Sequence, residues 1–324
     1  MLINQSRILV TGGAGFIGSA IVDRLLVHEP REIRVLDFIE DAPANLTHAL
    51  ASGKVTLIPG DIRNPKVLSE ACAGIDYVFH QAAIRVTRCQ EEPRLAQEIL
   101  IDGTFNLLEA SVKARVKKVV AASSAIVYGP PEHLPIDEAH PLLDRTMYGI
   151  AKIANEHMLE GFFRQYQLSY VVLRYFNVYG PRMNLTGPHT EVLIKWLDRI
   201  EEGEAPIIFG DGMQSMDFIY VDDVVNANLL ALESPISNDV FNVGTGKGTT
   251  LNELAKLLLN LTNSHLPVEY REVRKVNQVL RRFADTRKAA KLLGFQAQIT
   301  LPEGLKRLIE WRASLNIGTG TRNL

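Results

Sequence analysis

Arg7-Ile8-Leu9-Val10-Thr11-Gly12-Gly13-Ala14-Gly15-Phe16-Ile17-Gly18-Ser19 decides the fold of this chain. Its first five residues are an apolar run of the length expected for a buried strand. They lead into glycines at 12, 15 and 18, and an apolar-periodic helix follows to about Val27. Glycines between a strand and a helix allow a tight turn, close approach of backbone to a pyrophosphate, and close helix–strand packing. The spacing is G-x-x-G-x-x-G, so the argument rests on the strand–loop–helix context more than on a glycine count. Gly12, Gly15 and Gly18, with Phe16 and Ile17 between them, are the first cofactor-binding candidates.

The same reading extends downstream. Ile33–Asp37 is a second strand, ending about 20 residues past the glycines in an acid that can accept hydrogen bonds from ribose hydroxyls. Asp37 would also repel a 2′-phosphate, which favours NAD over NADP. Lys54–Ile58 is a third strand, and Asp61-Ile62 follow it where an acid can meet an adenine amino group. Tyr77–His80 is a fourth, leading to Ala82-Ala83, small enough for a cofactor to pass close. Pro93 opens a long helix to about Ala114, and Val116–Ala122 is a fifth strand before Ser123-Ser124. Strands alternating with helices predict an α/β fold with a doubly wound parallel sheet. Such sheets bind ligands beyond the carboxyl ends of their strands, where Thr11, Asp37, Asp61, Ala82-Ala83 and Ser123-Ser124 all fall.

A helix from Thr146 to about Arg164 carries Tyr148 and Lys152. Residues four apart share a helix face, so phenol and ammonium can enter one site. A free phenol titrates near pH ~10, and a neighbouring ammonium is expected to lower that value toward useful acid–base chemistry. Leu168–Arg174 is a sixth strand. Beyond it the alternation weakens. Helices are expected over 191–202, from within 217–223 to about Leu232, over Leu251–Leu261, from past Asp285 to near Gly294, and over Pro302–Ala313. Short strands are expected at Ile207–Phe209 and Val240–Gly244. The implied division is a dinucleotide-binding domain over 1–176, with 212–235 returning to it. A smaller interleaved substrate lobe takes 177–211 and 236–315, and 316–324 is a flexible tail.

Composition narrows the function classes. Lys plus Arg number 35 against 37 Asp plus Glu, so no charge excess argues for nucleic acid or an anionic membrane. Two cysteines, Cys72 and Cys89, form neither a disulfide framework nor a metal spacing, and a reducing cytoplasm suits them. No signal-peptide core precedes Arg7, and no run of ~18 apolar residues predicts a membrane span.

Thr11–Gly18, Asp61-Ile62, His80–Ala83, Ser123-Ser-Ala-Ile-Val-Tyr-Gly129, Tyr148-x3-Lys152, Arg174-Tyr-Phe-Asn-Val-Tyr-Gly-Pro181 and Asp217–Asp223 occur in this order. Together they resemble the extended short-chain dehydrogenase/reductase family, in its nucleotide-sugar epimerase/dehydratase branch, from about Arg7 to Ala313. The resemblance implies bound NAD and a catalytic set of Ser124, Tyr148 and Lys152. Lys152 would also hold the nicotinamide ribose, and Tyr175 would lie near the nicotinamide. Asn177 and Arg282 would hold a substrate diphosphate, with Arg281 as the register alternative; Arg88, and with it Arg85, would face the sugar. Two departures stand out. Related 4,6-dehydratases carry an Asp-Glu pair where this chain has Ala125-Ile126, which removes the acids of net dehydration. Met216 stands where many relatives carry arginine. The implied function is C4 epimerisation of a uridine-diphosphate-linked hexose or N-acetylhexosamine through a transient 4-keto sugar. An oxidation-primed lyase, a reductase and a non-catalytic relative are the alternatives. The resemblance also implies a homodimer built on the helices near 93–114 and 146–164.

Overall fold

The computed structural model describes residues 2–39, 43–185, 192–273 and 281–318, with side chains to 315. The first half contributes β1 (Arg7–Thr11), β2 (Glu32–Asp37), β3 (Val55–Pro59), β4 (Tyr77–His80), β5 (Lys118–Ser124) and β6 (Tyr170–Tyr175). The second half adds β7 (Asn177–Tyr179), β8 (Ile207–Phe209), β9 (Ser215–Met216), β10 (Phe218–Tyr220), β11 (Asp239–Val243), β12 (Thr249–Thr250), β13 (Glu269–Arg271) and β14 (Arg281–Arg282). Seven strands form the central sheet in the order β11-β6-β5-β4-β1-β2-β3. Every pair in it is parallel. This is the doubly wound α/β sheet that the strand–helix alternation predicts. The winding reverses at β1, which lies between β2 and β4, so a crevice opens above the carboxyl ends of β1 and β4.

Both faces of the sheet are covered, which explains why its strands read as continuous apolar runs. Along β1, Ile8 and Val10 pack with Ile21, Val22 and Leu25 on one face. Leu9 packs with Leu107 and Leu108 on the other. In β6, Val171 and Leu173 join the first core and Val172 the second. The β5–β6 register sets Ser124 beside Tyr175, and the β1–β4 register sets Thr11 beside His80.

Several elements differ from their expected bounds. The fifth strand runs Lys118–Ser124 rather than 116–122, because Arg115 turns left-handed and Val116 N–H closes back onto Ser111 O to end the preceding helix. The rod expected from Pro93 to Ala114 has three parts: Pro93–Ala96, a π-helical segment Gln97–Asp102, and Gly103–Ala114. A separate helix, Val86–Glu91, precedes it. Glu92 parts the two with a non-helical backbone (φ −126°, ψ 68°), consistent with the bias of a residue before proline away from the helical region. The helix expected over 191–202 is described over Val192–Glu201, and Glu191 lies outside the described residues. The last helix runs Leu301–Gly318 rather than 302–313, so 316–318 of the expected tail is helical and 319–324 lies outside the described residues. β7, β9, β12, β13 and β14 are too short to leave a periodic signal. β11 lies within the 236–315 span assigned to the substrate lobe, yet it pairs with β6 over its full length. It is therefore the seventh strand of the central sheet.

The helix Met147–Tyr166 is capped by Thr146, whose hydroxyl accepts from Gly149 N–H at 3.1 Å. A buried ion pair locks it to the sheet. Arg174 on β6 donates Nε to Oε1 of Glu156 at 3.0 Å and Nη2 to Oε2 at 2.6 Å. Ser123 Oγ on β5 donates to the same Oε1 at 2.5 Å. Arg174 Nη1 donates to the Tyr128 hydroxyl at 2.9 Å, and that hydroxyl donates to Asn242 Oδ1 at 2.6 Å.

Substituting Glu156→Gln leaves the Arg174 guanidinium buried without its counter-charge. The expected cost is about 3–5 kcal/mol of unfolding free energy, read from urea unfolding at near-constant m-value. A loss below ~1 kcal/mol would show that the pair does not hold helix to sheet.

Candidate active site

Two adjoining cavities lie above the carboxyl ends of the strands. The larger, about 790 Å³, runs from Asp37 and Asp61 past the glycine loop to Tyr148 and Lys152. That is within the ~300–1,000 Å³ usual for ligand and cofactor sites. The smaller, about 240 Å³, lies between Ser124, Tyr148, Asn177, Met216 and Arg282. Tyr148 and Tyr175, with Val86, Val178 and Met183, line both and form the wall they share. Lys152 faces only the larger and Ser124 only the smaller.

The glycine loop explains the shape of the larger cleft. Gly12 has φ +68°, and a Cβ there would lie 2.6 Å from Ala82 N. A Cβ at Gly18 would lie 2.1 Å from Gly12 O, so the helix Phe16–Leu26 packs directly onto the loop. That helix begins at Gly15 with no side-chain cap, which leaves first-turn amides open to an anion. Phe16, Ile17, Ile62, Ala82 and Ala83 also line this cleft. One oxygen of Asp37, Oδ2, accepts from Ala14 N–H at 2.8 Å. Burial raises its carboxyl above the ordinary value, and the amides of Ala14, Phe38 and Gly15 oppose that rise. Asp61 is held by Arg63 through contacts of 2.8 and 2.6 Å. These groups fit a dinucleotide: open amides for a pyrophosphate, and acids at both expected ends of an adenosine.

The reacting end is controlled by desolvation. Lys152 Nζ donates to Ala122 O at 2.8 Å and lies 5.8 Å from the Tyr148 ring centroid. Burial pushes Lys152 down to about 8, with Glu156 and Cys89 opposing. The expectation that Lys152 lowers Tyr148 is corrected. Burial, reinforced by Cys89 and only partly offset by a hydrogen bond with Ser124, pushes the phenol up to about 12. An ammonium directed at a carbonyl, and itself desolvated, does not outweigh that burial. His80 is buried between Thr11 Oγ1 at 2.8 Å and Thr104 Oγ1 at 3.0 Å, and burial pushes it down to about 3, so it is neutral.

The other expected residues divide. Asn177 and Arg282 line the smaller cavity; Arg281 is exposed and does not. Among the described residues Arg282 Nε is buried without a hydrogen-bond partner, and its Nη2 reaches Gly129 O at 3.5 Å. Arg88 lines the larger cleft, not the smaller, and pairs with Glu92 at 2.9 Å. Arg85 also lines the larger cleft. Tyr175 lines both cavities and directs its hydroxyl to Asn228 and Gln81. Ala125, Ile126 and Met216 line the smaller cavity. Glu156, Cys89 and Asn228 were missed. Only Glu156 left a trace, being four residues past Lys152 on its helix.

Residues 8–244 match the family described as the NAD dependent epimerase/dehydratase family. A putative UDP-glucose 4-epimerase of Methanocaldococcus jannaschii is 39% identical over 95% of this chain and 99% of its own length. A UDP-N-acetyl-alpha-D-glucosaminuronate decarboxylase of Bacillus cytotoxicus is 30% identical over 95% of this chain and 98% of its length. The solved UDP-glucose 4-epimerase of Thermotoga maritima, with UDP-glucose, superposes at a TM-score of 0.88 with 39% identity, covering 95% of this chain and 99% of that one.

The burial of Lys152 has a pH signature. Its folded value of about 8 lies below the ordinary 10.5, so between the two the unfolded chain binds more protons and stability rises with pH. Below about pH 8 that burial costs on the order of 3 kcal/mol. Lys152→Met keeps the stem and removes the charge. The variant should be more stable than the unmodified protein near neutral pH, and the gap should close as pH rises toward ~10.5. Urea unfolding across that range reads the gap. A less stable variant at neutral pH would mean that the bond to Ala122 outweighs the desolvation.

Proposed function

The chain belongs to the NAD dependent epimerase/dehydratase family, and we propose that it is a cytoplasmic nucleotide-sugar 4-epimerase acting on a UDP-hexose or UDP-N-acetylhexosamine. The observation that carries this reading is Tyr148, on the wall between a cleft suited to a dinucleotide and a cavity walled by Arg282 and Asn177. NAD, when bound, supplies a hydride acceptor and donor and a positive charge that favours the phenolate of Tyr148. Gly12, Gly15, Phe16, Ile17 and Gly18 would hold its pyrophosphate. Asp37 would hold its adenosine ribose, Asp61 and Ile62 its adenine, and Ala82, Ala83, Lys152 and Tyr175 its nicotinamide half.

Tyr148 takes the proton of the sugar C4 hydroxyl, with Ser124 bridging the hydrogen bond. Lys152 balances the charge that develops beside it. Arg282 presents planar donors to the diphosphate, and Asn177 adds a second contact. Holding only the diphosphate leaves the sugar free to present its other face as a 4-keto species, which inverts C4 on reduction. Ala125 and Ile126 carry no proton to the cavity, which disfavours elimination of water. The decarboxylase relative keeps one rival open, an oxidation-primed lyase using the same Ser, Tyr and Lys.

We assign the subunit contact to the helices Gly103–Ala114 and Met147–Tyr166, whose outer faces leave Phe105 at 45%, Ile150 at 43% and Tyr166 at 50% exposed. Light scattering at micromolar concentration should give a dimer mass; a monomer refutes the assignment.

Purified protein incubated with UDP-sugars should interconvert C4 epimers without net change in NADH. Tyr148→Phe should lower turnover by roughly 10²–10⁴-fold with folding little changed. A deuterium at C4 should return to carbon, with no solvent deuterium entering C5 or C6. Release of carbon dioxide, solvent label at C5, or a lasting keto or unsaturated product would replace epimerisation with the lyase reading.

A further inference from the structure

Asp217 is fully buried between the segments that wall the smaller cavity. Its carboxylate takes four donors. Oδ1 accepts from Thr245 N–H at 2.8 Å and from Thr245 Oγ1 at 2.5 Å. Oδ2 accepts from Gly246 N–H at 2.9 Å and from Ala284 N–H at 3.2 Å. Burial raises its carboxyl, and these hydrogen bonds oppose the rise by favouring the carboxylate. Its seat is tight: a Cβ at Gly244 would lie 2.6 Å from Oδ2.

The backbone of the same residue holds both proposed diphosphate ligands. Asp217 O accepts from Asn177 N–H at 3.0 Å and from Asn177 Nδ2 at 3.0 Å. Asp217 N–H donates to Arg282 O at 3.0 Å. Arg282 is thus gripped at its own carbonyl and, through Ala284, two residues on. This matters because the described residues do little to aim the guanidinium: Nε has no hydrogen-bond partner among them, Nη2 has one long contact, and Asp144 acts on it through charge alone. Its direction depends on where the backbone of β14 is placed.

We infer that Asp217 is the positioning residue of the diphosphate subsite, holding Arg282 and Asn177 at one spacing by tying β14, β10 and β7 to the turn after β11. The inference rests on the proposed role of Arg282 and Asn177 as diphosphate ligands. It predicts a selective defect, because Asp217 and its partners Thr245, Gly246 and Ala284 do not line the dinucleotide cleft.

The test uses the full chain and two probes, UDP and NAD, each titrated by calorimetry. Asp217→Asn replaces one acceptor by a donor and leaves buried N–H groups unpaired. UDP affinity should fall by roughly 10- to 100-fold, with NAD affinity within about twofold; KM for the nucleotide sugar should rise more than kcat falls. Thr245→Val removes one of the four donors to Asp217, together with an exposed 3.2 Å contact from Lys247 N–H, and should weaken UDP by roughly threefold to tenfold, again sparing NAD. If Asp217→Asn does not fold, Thr245→Val decides: unchanged UDP affinity overturns the inference. Parallel loss of UDP and NAD affinity in either variant also overturns it, since that is a general packing defect. Arg282→Ala separates the two claims. If it leaves UDP binding intact, the ligand assignment fails; if it weakens UDP while both other variants do not, only the positioning role fails.

Discussion

The ion pair between Glu156 and Arg174 is the constraint on which the site depends. Removing two charges from water costs several kcal/mol each unless their hydrogen bonds are complete. Here they are nearly so. Three guanidinium nitrogens reach Glu156, Tyr128 and Glu138 O, and the carboxylate takes a further bond from Ser123. The helix that carries Tyr148 and Lys152 cannot slide on the sheet without breaking charged bonds in a low-dielectric interior. Lys152 sits one turn before Glu156, so that lock and its own bond to Ala122 place it together.

The same polar frame reaches the second cavity. Tyr128 passes from Arg174 to Asn242, whose amide donates to Ile136 O at 2.9 Å and Asp285 O at 3.4 Å. Asp285 lies three residues past Arg282. A few buried hydrogen bonds thus tie the wall holding the tyrosine to the wall holding the arginine. Reacting groups then need little rearrangement when a ligand arrives.

Desolvation sets the electrostatics between those walls. It pushes Tyr148 up to about 12, Lys152 down to about 8 and His80 down to about 3. The resting protein therefore holds a neutral phenol, a neutral imidazole and an ammonium under strain. Such groups are costly for folding and useful for chemistry, because charge arriving in the cleft acts there with little screening by water.

Much of this was legible in the chain. Apolar runs followed by glycine or acid gave the strands of the sheet and their carboxyl-end residues, because a buried parallel strand has no polar face to confuse the pattern. Ser124, Tyr148 and Lys152 were legible through motif order and helical spacing. Less was legible where one residue's role depends on distant partners. The pairing of β11 with β6 depends on how 239–243 returns to the sheet, which local composition does not encode. The phenol's shift depends on burial, which spacing alone cannot predict. Arg281 and Arg282 are chemically identical in sequence, and only the register of β14 on β9, which sets Arg282 beside Met216, decides which one faces the cavity. What the sequence by itself determined was the fold class and the chemistry available at the strand ends, since both follow from local period and residue type. What only the tertiary structure decided was which side chains meet, and in what charge state, since burial and long-range hydrogen bonds exist only after the chain has closed on itself.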